Sequence, residues 1–353
     1  MATANINEKH AYRKMSIPYT FARVCAMRSK LIPRTEFLKL LKMELSAITR
    51  YLQESEYRDA ITKLSSNYRG VELVDQALKL NQEQTFSKLR RISTDEVEKL
   101  INSYIARVDI QNLKVIIRGI YSNSKKEDII PLVQPVGKLD EKYYEALFEL
   151  NTIEKVLKEN RIVEFKDISS AFEDFKRTNR LIELENTLDK HYYWKALQDA
   201  KSLPDKGKLY TKFLEREIDL LNIKNLLRLK REKTEPAKIM SYMIAGGRML
   251  KKNVLTRLST SDSLETLMSR LRKTRYGKAI AFVEGSSLVE IQLKIDRYLM
   301  KSAFLRTHQE PMSVICVLGY MMSKIIELKN LRLIVKAKYL GVPMDYIEKN
   351  MLI

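Results

Sequence analysis

Three carboxylates recur at matched positions in this 353-residue chain. The segment Asp109-Ile-Gln-Asn-Leu-Lys-Val-Ile-Ile-Arg118 is echoed by Asp219-Leu-Leu-Asn-Ile-Lys-Asn-Leu-Leu-Arg228 and by Glu327-Leu-Lys-Asn-Leu-Arg-Leu-Ile-Val-Lys336, with the acids at nearly equal spacing. A carboxylate followed by an amide on one helix face can orient a proton or a donor. Acid–base or nucleophilic catalysis needs more: a second acid, a histidine or a nucleophile in the same unit. Each copy brings one acid, an Asn at its fourth position (Asn112, Asn222, Asn330) and a terminal cation (Arg118, Arg228, Lys336), and nothing that completes a catalytic set.

Helical geometry assigns those residues a direction. At roughly 100° per residue from Asp109, Leu113, Ile116, Ile117 and Ile120 fall at about 40°, 340°, 80° and 20°. Asn112 sits at the stripe edge, at about 300°, while Lys114 points away at about 140° and Arg118 at about 180°. The pattern predicts a carboxylate and an amide on a core-facing seam, with cations outside. A half-buried carboxylate needs a partner, either a basic side chain or amides from a neighbouring helix. Arg23, on an early amphipathic helix, is a candidate for Asp109. The seam serves packing within a unit or an interface between units. The outward cations form either a solvated face or a positive ring opposite a symmetric partner.

Other chemistry is sparse. His10, His191 and His308 are scattered and lack metal-ligand spacing. Cys25 and Cys316 lie in apolar settings and read as two buried thiols in a reducing interior. Gly246-Gly-Arg-Met-Leu-Lys251 has neither the spacing nor the Lys-Ser/Thr ending of a phosphate loop. Tyr143-Tyr144, His191-Tyr-Tyr-Trp194 and Tyr339 offer rings that could stack on bases, yet no nucleic-acid-binding module is evident. Nucleic-acid binding therefore rests on net charge alone.

The elements that must position the motif are helical. Gly and Pro number only 10 and 8, while Leu, Ile, Lys, Glu and Arg are abundant. A capping box at Ser93-Thr-Asp-Glu96 predicts the start of a helix reaching Tyr121. Further helices are expected over 19–31, 35–51, 56–65, 70–91, 139–160, 168–198, 208–230, 237–244, 262–270 and 286–305, then from Glu310-Pro311 to Tyr339. Ala279-Ile-Ala-Phe-Val283 is the one strand-like run, and it also fits a buried helix. Leu188-Asp189 and Ile295-Asp296 precede the second and third motifs at similar distances, with Leu78 in the corresponding place for the first. Three domains follow, at 1–125, 126–235 and 236–353, with the first and third sharing helices from the chain ends. The fold class is all-α.

Net charge is +20 and the isoelectric point about 9.6, which favours a polyanionic partner or an anionic membrane surface. The longest apolar stretch, Met312 to Met322, is too short to span a bilayer. Met1-Ala-Thr-Ala-Asn-Ile-Asn-Glu8 has no signal-peptide core.

Taken with the opening Tyr19-Thr-Phe-Ala-Arg-Val-Cys-Ala-Met-Arg-Ser-Lys-Leu31, the first motif through Gly119 and the third through Gly341 carry a family resemblance over essentially the full chain. The sequence resembles the C subunit of archaeal-type (A-type) rotary ATP synthase, which is similar to the d subunit of the vacuolar ATPase. The resemblance implies three helical domains arranged as a pseudo-threefold funnel on the cytoplasmic face of the membrane. It implies as partners the central stalk subunits D and F and the membrane proteolipid ring, with contact to anionic lipid headgroups, and a rotor role with no active site and no cofactor. A basic scaffold for nucleic acid, or an adaptor for another membrane complex, is the alternative class.

Overall fold

With so few helix breakers the backbone has little cause to leave the helix, and the chain folds accordingly. The computed structural model describes residues 16–137, 139–203, 206–280, 287–310 and 312–352, and among them every regular element is helical. The chain opens with α1 (Ile17–Arg28), three short helices α2 (Arg34–Leu40), α3 (Leu45–Gln53) and α4 (Arg58–Leu64), and the long α5 (Gly70–Arg91). The first motif lies on α6 (Asp95–Tyr121), followed by α7 (Lys126–Ile129), α8 (Glu141–Glu149), α9 (Ile153–Glu159), α10 (Phe165–Thr178) and α11 (Leu181–Lys201). The second lies on α12 (Lys206–Arg231), followed by α13 (Pro236–Ser241), α14 (Lys252–Ser259), α15 (Leu264–Arg272), α16 (Arg275–Ile280) and α17 (Leu288–Gln309). The third lies on α18 (Val314–Tyr339), and α19 (Met344–Asn350) follows it.

The long helices touch in cyclic order: α5 packs on α6, α6 on α11, α11 on α12, α12 on α17, α17 on α18, and α18 back on α5. The three motif helices α6, α12 and α18 also touch one another. One apolar core joins α2–α5 to the C-terminal half of α18 and to α19, through Phe37, Ile48, Tyr57, Leu78, Leu331 and Met351 among others. A second fills the space among α12–α17, and the largest runs from α1 and α6–α11 into the first halves of α12 and α18. Among the described residues, no helix is long and apolar enough to cross a membrane.

The motif helices end alike. Asn123, Lys233 and Gly341 take left-handed conformations, with φ of 50, 55 and 68°. The next amide then returns to a carbonyl of the last turn: Ser124 to Gly119 at 2.9 Å, Thr234 to Leu229 at 3.0 Å and Val342 to Ala337 at 2.9 Å. This 6→1 closure satisfies otherwise orphaned carbonyls and favours a residue without Cβ. Replacing exposed Lys233 by Gly is therefore expected to stabilise the fold by about 0.5–1 kcal/mol. A urea midpoint that stays level or falls would contradict this.

Several helices break where periodicity ran on. The expected 35–51 helix divides into α2 and α3 at Leu41–Glu44. The 139–160 and 168–198 helices each divide at an asparagine, Asn151 (φ 58°) and Asn179 (φ 53°), whose side chains tolerate the left-handed region. Helices α14 and α19 fall in segments with no helical expectation. Residues 279 and 280 of the strand-like run end helix α16, while 281–283 lie outside the described residues. Thr94, not Ser93, occupies the N-cap position of α6, without a side-chain capping bond, and the Ser93 hydroxyl donates to the Leu89 carbonyl at 2.7 Å. Cys25 is exposed, contrary to the expectation of two buried thiols.

Candidate functional site

The repeated asparagine makes the same bond pair three times. Asn112 donates to the Gln134 carbonyl at 2.8 Å and accepts its amide at 2.9 Å. Asn222 holds Ile244 at 2.8 and 2.9 Å, and Asn330 holds Leu352 at 3.1 and 2.9 Å. Every clamped residue lies 22 positions after its asparagine. The amides are at most 2% exposed, and each fastens a returning loop to its motif helix with both polar atoms of its buried side chain bonded. Segment 128–137, with its two prolines, is tied to α6 in this way.

Each motif acid accepts a tyrosine hydroxyl. Tyr144 donates to Asp109 at 2.9 Å, Tyr276 to Asp219 at 2.7 Å and Tyr57 to Glu327 at 2.5 Å. Burial, and then the neighbouring carboxylate, holds all three phenols above their usual range, so they remain donors. Asp219 also accepts the amides of Met249 and Leu250 at 2.7 and 3.0 Å. Glu327 accepts the Ile32 amide at 2.6 Å and Lys324 Nζ at 2.7 Å. Capping amides were among the expected partners; the tyrosines were not. Arg23 is exposed on α1, and it is Tyr144 that donates to Asp109. Glycine lets the loops come close: a Cβ on Gly247 would stand 2.1 Å from Asp219 Oδ1, and one on Gly137 2.9 Å from the Asp109 oxygens.

The seam shifts the titration of Asp109. Burial pushes its carboxyl up from 3.8 to about 6, against the opposing Tyr144 hydrogen bond and Arg90 charge. A folded-state pKa above the unfolded one gives stability that is complete below the unfolded value and lost as pH rises through about 6. Asp109→Asn keeps an acceptor for Tyr144 and removes the buried charge. It should therefore raise stability by about 1–3 kcal/mol at pH 8, with the advantage vanishing near pH 4. Thermal unfolding at the two pH values checks this, and an equal shift at both would contradict it.

The cations separate into two sets. Arg118, Arg228 and Lys336 are exposed, as the helical angles predict. Arg118 nevertheless pairs bidentately with Glu185 at 2.5 and 2.6 Å, and Lys336 lies 3.4 Å from Asp75. Lys114, expected to point outward, is buried and paired with Asp189 of α11. Its counterparts repeat the arrangement: Lys224 pairs with Asp296 of α17, and Arg332 with Asp75 of α5 at 3.0 Å. Each motif helix is thus joined by an ion pair to the long helix beside it. The sequence held part of this signal in Leu188-Asp189 and Ile295-Asp296. The first counterpart is Val74-Asp75, one helical turn before Leu78.

Between the motif helices lies a cavity of about 370 Å³, lined by α6, α12, α17 and α18. Arg107 on α6 crosses it to Glu217 on α12 with bonds of 2.9 and 2.6 Å, donates to the Tyr192 hydroxyl at 3.2 Å, and lies 4.0 Å over the Tyr104 ring. Lys329 also lines it, its pKa lowered by burial. Of the rings considered for base stacking, Tyr144, Tyr192 and Tyr193 are buried, whereas Trp194 and Tyr339 are exposed.

The comparisons agree with a full-length relationship. The family model described as ATP synthase (C/AC39) subunit matches residues 20–350. The A-type ATP synthase C subunit of Methanosarcina acetivorans is 34% identical over 91% of this chain and 88% of its own length. Those of Haloferax volcanii and Archaeoglobus fulgidus are each 31% identical over 95% of this chain, covering 97% and 96% of their own lengths. With a model match over residues 20–350 and relatives aligned over more than nine-tenths of its length, the chain belongs to the ATP synthase (C/AC39) subunit family.

Proposed function

We propose that the chain is a non-catalytic rotor subunit that couples the central stalk of an A/V-type ATP synthase to its membrane proteolipid ring. The carrying observation is the clamp of asparagine, acid, tyrosine and ion pair built three times on helices that close a cycle. Such a cycle makes a stiff hub, since every long helix in it is fixed to two neighbours.

In this reading the hub is a pseudo-threefold funnel. Helices α6–α11 form one unit and α12–α17 another; α18 and α19 are completed by α2–α5 from the start of the chain. The linear divisions after residues 125 and 235 then fall within units, and the chain-end sharing takes this particular form. The cavity with Arg107 and Glu217 faces the tip of stalk subunits D and F, and the hub sits peripherally on the cytoplasmic face of the membrane. Co-purification tests the reading. The chain mixed with D–F and a proteolipid ring should bring both into one complex; binding to neither would overturn it.

The positive surface supplies a further expectation. Because Arg118 and Lys336 already have acidic partners, Arg228 carries most of the unneutralised charge of that set. Changing all three to Glu should weaken binding to the ring in anionic lipid several-fold at low salt and little at high salt. Titration across salt concentrations reads this, and an unchanged affinity and salt slope would exclude these residues from the contact.

A further inference from the structure

The only two cysteines of the chain, Cys25 and Cys316, stand far apart in sequence yet lie on packed helices, α1 and α18. On α1, Phe21, Cys25 and Arg28 form one ridge at i, i+4 and i+7, beside the buried stripe of Thr20, Val24 and Met27. One end of the ridge is anchored where Phe21 shares a cavity of about 170 Å³ with Cys316 and Val317. The other is anchored where the Arg28 guanidinium lies 4.1 Å over the Phe304 ring of α17. Cys25 lies between the two anchors on α1, which packs on α18, and Cys316 is the third residue of α18. The Cys25 thiol lies near enough to Cys316 to influence it.

Their environments differ in a useful way. Cys25 is exposed, while Cys316 is 3% exposed. Burial, followed by the influence of Cys25, pushes the Cys316 thiol up to about 11. An oxidant in solution therefore meets Cys25 first, and Cys316 is held in reserve beside it.

We propose that Cys25 and Cys316 form a reversible disulfide staple between α1 and α18, with a low-molecular-weight disulfide as oxidant. The Cys25 thiolate attacks one sulfur of that disulfide, forming a mixed disulfide and releasing one thiolate, which is protonated. Cys316 then attacks the Cys25 sulfur, the second small thiolate leaves, and the Cys316 proton passes to it. Two small thiols are formed, one disulfide is reduced, and the protein loses two hydrogen atoms. The raised thiol pKa slows the second step, but the two sulfurs are held at high effective concentration. The bond fixes the start of the described chain to the third motif helix, at the place where the ring of long helices passes from α17 to α18.

The reduced full-length chain, incubated with oxidised glutathione, is then denatured, alkylated and weighed intact. The wild type should lose two hydrogens, take up no alkyl group and migrate faster on a non-reducing gel, with dithiothreitol reversing all three. Cys316→Ser should stop at one glutathionyl adduct on Cys25, and Cys25→Ser should stay unmodified while folded. A wild type that stops at the mixed disulfide, remains fully reduced or forms Cys25-linked dimers would overturn the proposal.

Discussion

Glu327→Ala is expected to destabilise the protein by about 3–5 kcal/mol, the cost of breaking a buried ion pair from one side. Glu327 and Lys324 are 4% and 3% exposed in their side chains, so Lys324 would be left in the core without its carboxylate, keeping the Tyr57 hydroxyl at 2.9 Å as its polar partner among the described residues. The Ile32 amide and the Tyr57 hydroxyl would also lose their acceptor. Ile32 and Tyr57 belong to the N-terminal segment, whereas Glu327 belongs to α18, so the damage should localise. Limited proteolysis is expected to cut between α1 and α5 before the rest unfolds. Removing both charges with Lys324→Met and Glu327→Leu should recover much of the loss. A single variant within about 1 kcal/mol of wild type would show that the carboxylate does not hold the two chain ends together.

Arg107→Ala should have a loss of similar size, about 3–5 kcal/mol. It leaves Glu217, with a side chain 10% exposed, deprived of a bidentate partner. It also removes the guanidinium packed on Tyr104 and bonded to Tyr192. Since Arg107 and Glu217 sit on α6 and α12, the pair braces two motif helices across the cavity. Urea denaturation reads the cost. Arg107→Lys is expected to recover less than half of it, because an ammonium cannot reproduce the bidentate fork. Full recovery by lysine would reduce the interaction to simple charge pairing.

The two kinds of residue in the site were not equally legible. The acid and asparagine could be read because each lies on the motif helix and repeats at a fixed register, and their placement on a seam follows from one helix alone. The tyrosines could not, because their separations from the acids are 35, 57 and 270 residues. The last separation reflects closure of the third motif by the opposite chain end; the sequence suggests that the chain ends share helices, but the repeat does not say which residues meet. Lys114 failed for a related reason. A helical wheel assumes one buried face, but a motif helix in a closed ring has core on one side and a long neighbour on another. The face at about 140° is then occupied by α11, and a lysine there is buried against Asp189. The broken helices reflect local competition: asparagine takes up the left-handed turn at Asn151 and Asn179 with no change in apolar periodicity.

The rotor assignment is tested most directly by tethering. In the assembled complex, the chain is cross-linked covalently to the proteolipid ring through cysteines engineered at the contact, in a background lacking Cys25 and Cys316. If chain and ring turn as one body, ATP-driven ion transport should continue at the uncross-linked rate. Cross-linking the chain to a stationary peripheral stalk in the same complex should stop it. Transport that halts when chain and ring are joined would contradict the account.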